Sequence, residues 1–258
     1  MNKNWIITNL KKVKVKNPIL IEGLPGMGNV GKITVDFIIE TLDAEKIYEI
    51  NSYNFPNCVF VNDKGIAELP KVEIYYKKIK KNDFLFVSGD VQPIDEEGSY
   101  IFCENLLELL ESIGKGSIVT LGGIGLEDLP KKPKVYSTFT DENVMQVFKK
   151  EGVKPAIGIV GPVIGVSGIL IGLAKKKNIK AICLLVETIG HPTYFGIKEA
   201  RELLRILNNV YKLGLNMKEL DKEVKLIEKE IKEKVEKILT LKEDKMTVGK
   251  KDVTNYIG

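Results

Sequence analysis

The chain has 258 residues, of which 44% are hydrophobic and 29% charged, with 39 basic against 35 acidic side chains and a net charge of +4. This is an ordinary soluble globular composition, and the near cancellation of charge argues against a dedicated nucleic-acid binder, which carries a basic face or stripe. No uncharged apolar run reaches the ~20 residues needed to span a bilayer, and Met1 to Lys16 lacks the continuous apolar stretch of a signal peptide.

Taken in chain order, short apolar runs alternate with helical stretches. Ile19 to Glu22 reads as a buried strand, and Val30 to Leu42 as a helix with Val30, Ile33, Phe37 and Ile38 at i, i+3, i+7 and i+8. Lys46 to Ile50 follows as a strand. Val59 to Val61 and Val72 to Tyr76 read as the arms of a β-hairpin, with Asn62-Asp63-Lys64-Gly65 as its turn. Asp83 to Ser88 is a core strand, Gly98 to Ile113 a helix stopped by Gly114, and Ser117 to Leu121 a strand ending at Gly122-Gly123. Val135 to Thr138 reads as a strand, Glu142 to Lys149 as a helix, Ala156 to Val160 as a strand and Ser167 to Lys177 as a helix. Ala181 to Glu187 is a strand and Gly196 to Lys212 a helix. Such alternation predicts an α/β fold with a mostly parallel central sheet sandwiched by helices. The functional crevice of such a sheet lies beyond the C-terminal strand ends.

After Gly214 the pattern changes. Asn216 is placed to cap a new helix, along which Met217, Leu220, Val224, Ile227, Ile231, Val235 and Ile238 form an apolar seam on a polar background. The expected organisation is therefore a globular domain over 1–214, a long amphipathic helix over 215–243 and a mobile tail over 244–258. At ~25 residues the helix would extend roughly 37 Å. Its seam must pack on the body or on another subunit, and Val224, Ile227, Ile231 and Val235 are its candidate packing residues.

The densest local motif is Gly23-Leu24-Pro25-Gly26-Met27-Gly28-Asn29-Val30-Gly31-Lys32, directly after a predicted strand. Gly26, Gly28 and Gly31 fit G-x-G-x-x-G, and Gly26 to Lys32 fits G-x-x-x-x-G-K. A helix N-terminus attracts phosphate and Lys32 is placed to reach one. However, Ile33 stands where a P-loop needs the Mg²⁺-binding Ser or Thr, and Thr34 is one residue late. For a dinucleotide, Glu49 would be the ribose acid. The alternative is a structural strand-to-helix turn whose glycines allow close packing. Gly165-Val166-Ser167-Gly168 approaches a nucleophile elbow but has Ile169 in place of the last glycine; Ser167 is read as a helix cap. Asp90 and Gln92, like Glu187 and His191, sit at strand ends, where a carboxylate can serve as base or ligand or simply bond the loop. One histidine and three scattered cysteines, Cys58, Cys103 and Cys183, point to buried free thiols in a reducing cytosol and to no metal site.

The order of motifs carries more than any one of them. Gly23 to Gly31, Ser88-Gly89-Asp90-Val91-Gln92-Pro93, Leu121-Gly122-Gly123, Gly165 to Gly168 and Glu187-Thr188 together resemble the proteasome assembly chaperone 2 family in its archaeal form, over about residues 5 to 240. The resemblance implies an α/β sandwich similar to nucleoside phosphorylases but without their catalytic residues and with no cofactor. It implies a cytoplasmic homo-oligomer that escorts proteasome α-subunits. Some relatives dock through a hydrophobic–tyrosine–any residue tail. Here Tyr256 is third from the end, with Ile257 and Gly258 after it, so these three residues are candidate partner contacts in a variant tail. A nucleotide-dependent enzyme using Gly26, Gly28, Gly31 and Lys32 is the rival expectation.

Overall fold

The computed structural model describes residues 4–128, 132–158, 161–191, 194–222, 224 and 226. Two compact units divide the chain, Met1–Leu215 and Asn216–Gly258. In the first unit the chain runs β1 (Trp5–Asn9), β2 (Ile19–Glu22), α1 (Val30–Thr41), β3 (Glu45–Ser52), β4 (Phe60–Val61), β5 (Ala67–Glu68), β6 (Val72–Ile79) and β7 (Asn82–Gly89). It continues through α2 (Glu96–Ile113), β8 (Ser117–Leu126), β9 (Val135–Phe139), α3 (Glu142–Lys149), β10 (Lys154–Pro155), α4 (Val166–Lys176), β11 (Ala181–Ile189) and α5 (Ile197–Tyr211).

Nine strands form one mixed sheet in the order β1-β3-β6-β7-β2-β8-β11-β9-β10. Its centre, β7-β2-β8-β11, is parallel. These are the strands with continuous apolar runs, as burial on both faces requires. Alternation along β7 sends Leu85 and Val87 toward one helical layer, α2 and α4, where they join Phe102, Leu106, Leu107 and Leu170 in one buried cluster. Phe84 and Phe86 point to the other face, and Phe84 meets Tyr211 of α5 edge-on with ring centroids 5.6 Å apart. Each such fully buried aromatic or aliphatic side chain contributes about 1.5–3 kcal/mol.

The helices fall where the apolar spacing places them. Asp95 caps α2, its carboxylate accepting the Gly98 N–H at 2.5 Å. In α1 the buried face comprises Val30, Thr34, Val35 and Ile38, so it is turned slightly from the predicted stripe and leaves Ile33 and Phe37 half-buried. Among the described residues no helix is long and apolar enough to cross a membrane.

Four expectations are corrected. The turn at Asn62 is real, its side chain accepting the N–H groups of Lys64 and Ile66, each at 3.0 Å. The strand it returns is Ala67–Glu68, however, not Val72–Tyr76. Val72–Ile79 instead forms a second hairpin with β7, closed at Lys80, where φ is 55°. The strand beginning at Ser117 does not end at Gly122-Gly123 but runs to Leu126, paired throughout with β11. Its glycines allow close approach from above: a Cβ on Gly123 would lie 2.6 Å from the Met27 carbonyl oxygen. The strand expected over Ala156 to Val160 is the two-residue β10 just before it; Ile157 is exposed and Gly158 turns with φ 68°, while 159 and 160 lie outside the described residues. Finally, Cys103 and Cys183 are buried as expected, but Cys58 is exposed.

In the second unit, residues 217–222 are helical. Asn216 caps them, its side-chain oxygen accepting the N–H groups of Lys218 at 3.2 Å and Glu219 at 3.4 Å.

Candidate functional site

Beyond the C-terminal end of β2 and against the C-terminal half of β8 lies a cleft of about 350 Å³, walled by Gly26, Gly31, Gln92, Gly122 to Gly125, Gly161 to Ile164 and Ser167. The volume is at the lower end of the ~300–1,000 Å³ typical of small-molecule sites. Its floor is the predicted glycine turn. The chain leaves β2 at Glu22 and bends through Gly23 to Gly26. A 3₁₀ turn over Met27–Asn29 then leads into α1. Packing dictates the glycines at three positions. A Cβ at Gly23 would sit 2.2 Å from the Gly31 carbonyl oxygen, one at Gly31 2.7 Å from the Leu121 carbonyl oxygen, and one at Gly28 2.5 Å from Thr188 Oγ1. Gly28 also takes φ 61°, and its carbonyl accepts the Gly196 N–H at 2.8 Å. Gly26 differs: its nearest would-be neighbour is Gln92 Nε2 at 3.8 Å, so it faces open space.

Two side chains tie the walls together. Gln92 donates from Nε2 to the Pro25 carbonyl at 2.5 Å and accepts the Val166 N–H at 3.1 Å, joining the turn to the start of α4. Glu22, fully buried beneath the turn, accepts the Leu24 N–H at 2.9 Å and the Ser167 hydroxyl at 2.8 Å. Burial pushes the Glu22 carboxyl up to about 7, against the two hydrogen bonds, which favour the charged form. Ser167 therefore does not cap α4; the cap position is Gly165, and the hydroxyl is occupied with Glu22. Both the Ser167 hydroxyl and the Glu22 carboxyl are thus held by the turn they support.

Of the predicted phosphate-binding residues, Gly26 and Gly31 line the cleft, whereas Gly28 is packed under Thr188. Lys32 lies along the helix surface with Nζ 2.9 Å from Asp36 Oδ2, and Asp36 also accepts the Ser88 hydroxyl. Thr34 is buried and donates to the Val30 carbonyl at 2.7 Å. Glu49, the expected ribose acid, is on β3, three strands from β2 in the sheet and so ~14 Å away across the strands. Asp90 accepts the Lys71 N–H at 3.2 Å, and Glu187 accepts the Lys134 N–H at 2.8 Å. These two acids thus bond the backbone that leads into the neighbouring strands β6 and β9.

Among the candidate packing residues Val224 is buried. Ile227, Ile231 and Val235, and the tail residues Tyr256, Ile257 and Gly258, lie outside the described residues. Sequence reasoning missed Glu22, which reads as the polar end of a strand. The only local hint was a carboxylate in the last position of an otherwise apolar run.

The PAC2 family matches residues 20–235. The uncharacterized protein MJ1210 of Methanocaldococcus jannaschii is 30% identical over 231 residues, covering 88% of each chain. Among solved structures, PbaB of Pyrococcus furiosus, an archaeal proteasome activator, superposes with a TM-score of 0.82 at 30% identity, over 91% of this chain and 99% of that one. PbaA of the same organism, an archaeal homolog of proteasome-assembly chaperone, shares the fold with a TM-score of 0.75 at 23% identity, over 95% and 97% of the two chains. With the family matched over most of its length and its fold shared with these neighbours, the chain belongs to the PAC2 family.

Proposed function

We propose that this chain is a cytoplasmic, homo-oligomeric and non-catalytic adaptor in proteasome assembly. It binds proteasome α-subunits through its C-terminal helix and tail. The observation that carries the reading is the similarity to PbaB, an archaeal proteasome activator, along nearly the whole of both chains. The cleft supports the same reading from the other side. Three glycines of the turn that floors it, Gly23, Gly28 and Gly31, answer to packing, and Gln92, Ser167 and Glu22 bond the cleft's own walls.

The seam containing Val224, Ile227, Ile231 and Val235 holds the helix in place, and Tyr256, Ile257 and Gly258 meet the α-subunit surface. An oligomer offers several copies of this weak contact at once, and effective concentration then multiplies their affinity. The test is capture of recombinant α-subunits by the full chain and by a chain truncated after Lys245. Capture by the full chain alone places the contact in the tail, and capture by both moves it to the body or helix. Capture by neither, joined to a thermal shift with Mg-ATP, NAD or NADP, would replace the adaptor reading with a nucleotide-dependent enzyme. A ligand at one hundred times its Kd raises stability by about 2.7 kcal/mol, well within detection.

A further inference from the structure

A second apolar feature of the surface lies away from the cleft. A groove of about 840 Å³ runs beside β1, lined by Ile6, Tyr53, Phe55, Cys58, Val59 and Leu69 among others. None of its twelve lining residues is charged, in a chain that is 29% charged overall. The β4–β5 hairpin adjoins the groove through its flanking residues Val59 and Leu69, which line it, and the four strand residues of the hairpin are all exposed. Along this arm Val59 is 54% exposed, Phe60 43%, Val61 68%, Ile66 56% and Leu69 71%; across the groove, Ile6 is 54% and Tyr53 84% exposed. Alternation puts Val59 and Val61 on one face of the ribbon and Phe60, paired with Glu68, on the other. A lone two-stranded ribbon is marginal in water, and this one offers apolar side chains on both sides.

Taken together, the exposed area of these seven residues is of the same order as the ~800 Å² that one partner contributes to a standard interface. We infer that the β4–β5 arm and the adjoining groove form the contact between copies of this chain, the arm of one protomer lying against the groove of the next. Arm and groove on one surface make that surface complementary to itself, as a contact between identical subunits requires. The groove's lack of charge favours a second copy in particular, because a charged patch would repel its own duplicate, and depletion of charge marks an interface core; the arm's charges, Asp63, Lys64 and Glu68, lie at its turn and opposite Phe60. β1 adds to the site: it is the terminal strand of the sheet and pairs only with β3 among the described residues. Ile6 of β1 lines the groove beside Asn4, and among the described residues no strand pairs with the outer edge of β1, a template for backbone pairing.

The inference rests on the homo-oligomeric part of the proposed function, and the experiment separates the two. Native mass is measured by light scattering for the full chain, for Val61→Asp/Leu69→Asp, and for a control, Ile164→Asp, which alters an 86% exposed apolar residue at the mouth of the cleft. The expected result is an oligomer for the full chain and the control, and a folded 28.9 kDa monomer for the double variant. Cys58 gives a second readout. It is the exposed thiol and lines the groove, while Cys103 and Cys183 are buried. Its reaction with a thiol reagent is expected to be at least ~10-fold slower in the oligomer than in the double variant, at equal circular dichroism. An oligomeric double variant with unchanged Cys58 reactivity overturns the inference and leaves oligomerisation standing by another surface. A monomeric full chain overturns both. An intact oligomer that has lost α-subunit capture would assign the groove to that partner and likewise overturn the inference.

Discussion

The cleft and the hairpin groove are built on opposite principles. At the cleft, main chain meets main chain so closely that Gly23 and Gly31 have no room for a methyl group, and every polar side chain discussed there is bonded to a neighbouring element. At the groove, side chains that would ordinarily be buried stand exposed, and among the described residues no layer covers the arm that carries them. A glycine-rich segment that looks like a ligand loop is thus occupied in joining β2, α1, β8 and α5. A stretch with no motif presents the surface suited to a partner. The difference teaches that a motif reports what the backbone must do locally, whereas a binding face is visible only once burial is known.

Substitution of the buried glycines gives the largest expected effect. Gly23→Ala places a Cβ 2.2 Å from a backbone oxygen and 2.6 Å from Val35 Cγ2, and Gly31→Ala places one 2.7 Å from the Leu121 carbonyl. Backbone cannot rotate aside as a side chain can, so about 3 kcal/mol is expected for Gly23→Ala and about 2 kcal/mol for Gly31→Ala, within the range of overpacked cores. Urea denaturation measures both. Midpoints equal to the parent's would mean that the turn relaxes freely and that its glycines serve something other than packing.

Glu22→Gln comes next. The folded carboxyl titrates at about 7, above its ordinary 4.5. Below the ordinary value both folded and unfolded chains hold the proton, and no stability depends on it. As pH rises from about 4.5 to 7 the unfolded chain releases the proton while the fold retains it, so stability falls, at about 1.4 kcal/mol per pH unit. The loss is complete once the pH passes the folded value, at up to about 3 kcal/mol. Glutamine does not titrate, and Ser167 can turn its hydroxyl to the Leu121 carbonyl, 3.3 Å away. The variant is therefore expected to match the parent near pH 5 and to exceed it at pH 8. Parallel melting-temperature profiles across that span would show that the carboxyl is already solvated in the fold.

Much of this architecture was legible because local pattern and final environment agree. β2, β7, β8 and β11 are continuous apolar runs buried on both faces, and α2 and α3 start at Asp95 and Asp141, whose carboxylates accept the N–H groups of Gly98 and Asn143. The failures mark where the two part. The β6–β7 hairpin closes at Lys80-Lys81, which carries none of the Asn-Gly chemistry of tight turns, so β6 was assigned to the wrong partner. β1 is not legible because it is a short run set between Lys3 and Lys11, and its identity as a strand depends on pairing with β3 about forty residues later. Glu22 was missed for the same reason at greater range: the hydroxyl that holds it is 145 positions away. The glycine turn itself was found, but nothing local separates a glycine that admits a phosphate from one that admits a carbonyl.

Gly26→Ala addresses that last distinction with the smallest expected effect on stability. Its φ of −161° is extended backbone open to any residue, and the nearest atom to a new methyl is 3.8 Å away. The substitution is expected to leave stability unchanged or raise it by up to about 1 kcal/mol through the unfolded chain. The exposed pair Val61→Asp/Leu69→Asp should likewise stay within about 0.5 kcal/mol per site, measured on the dissociated chain. Because both variants keep the fold, each isolates one surface. A methyl at position 26 narrows the cleft without touching the groove, and the aspartates charge the groove without touching the cleft. If α-subunit capture and native mass survive the first change, the cleft is a structural joint. If capture is lost with Gly26→Ala while the melting temperature holds, the one open glycine of the turn has a ligand or partner to admit, and the contrast between the two regions narrows to a difference in what each one binds.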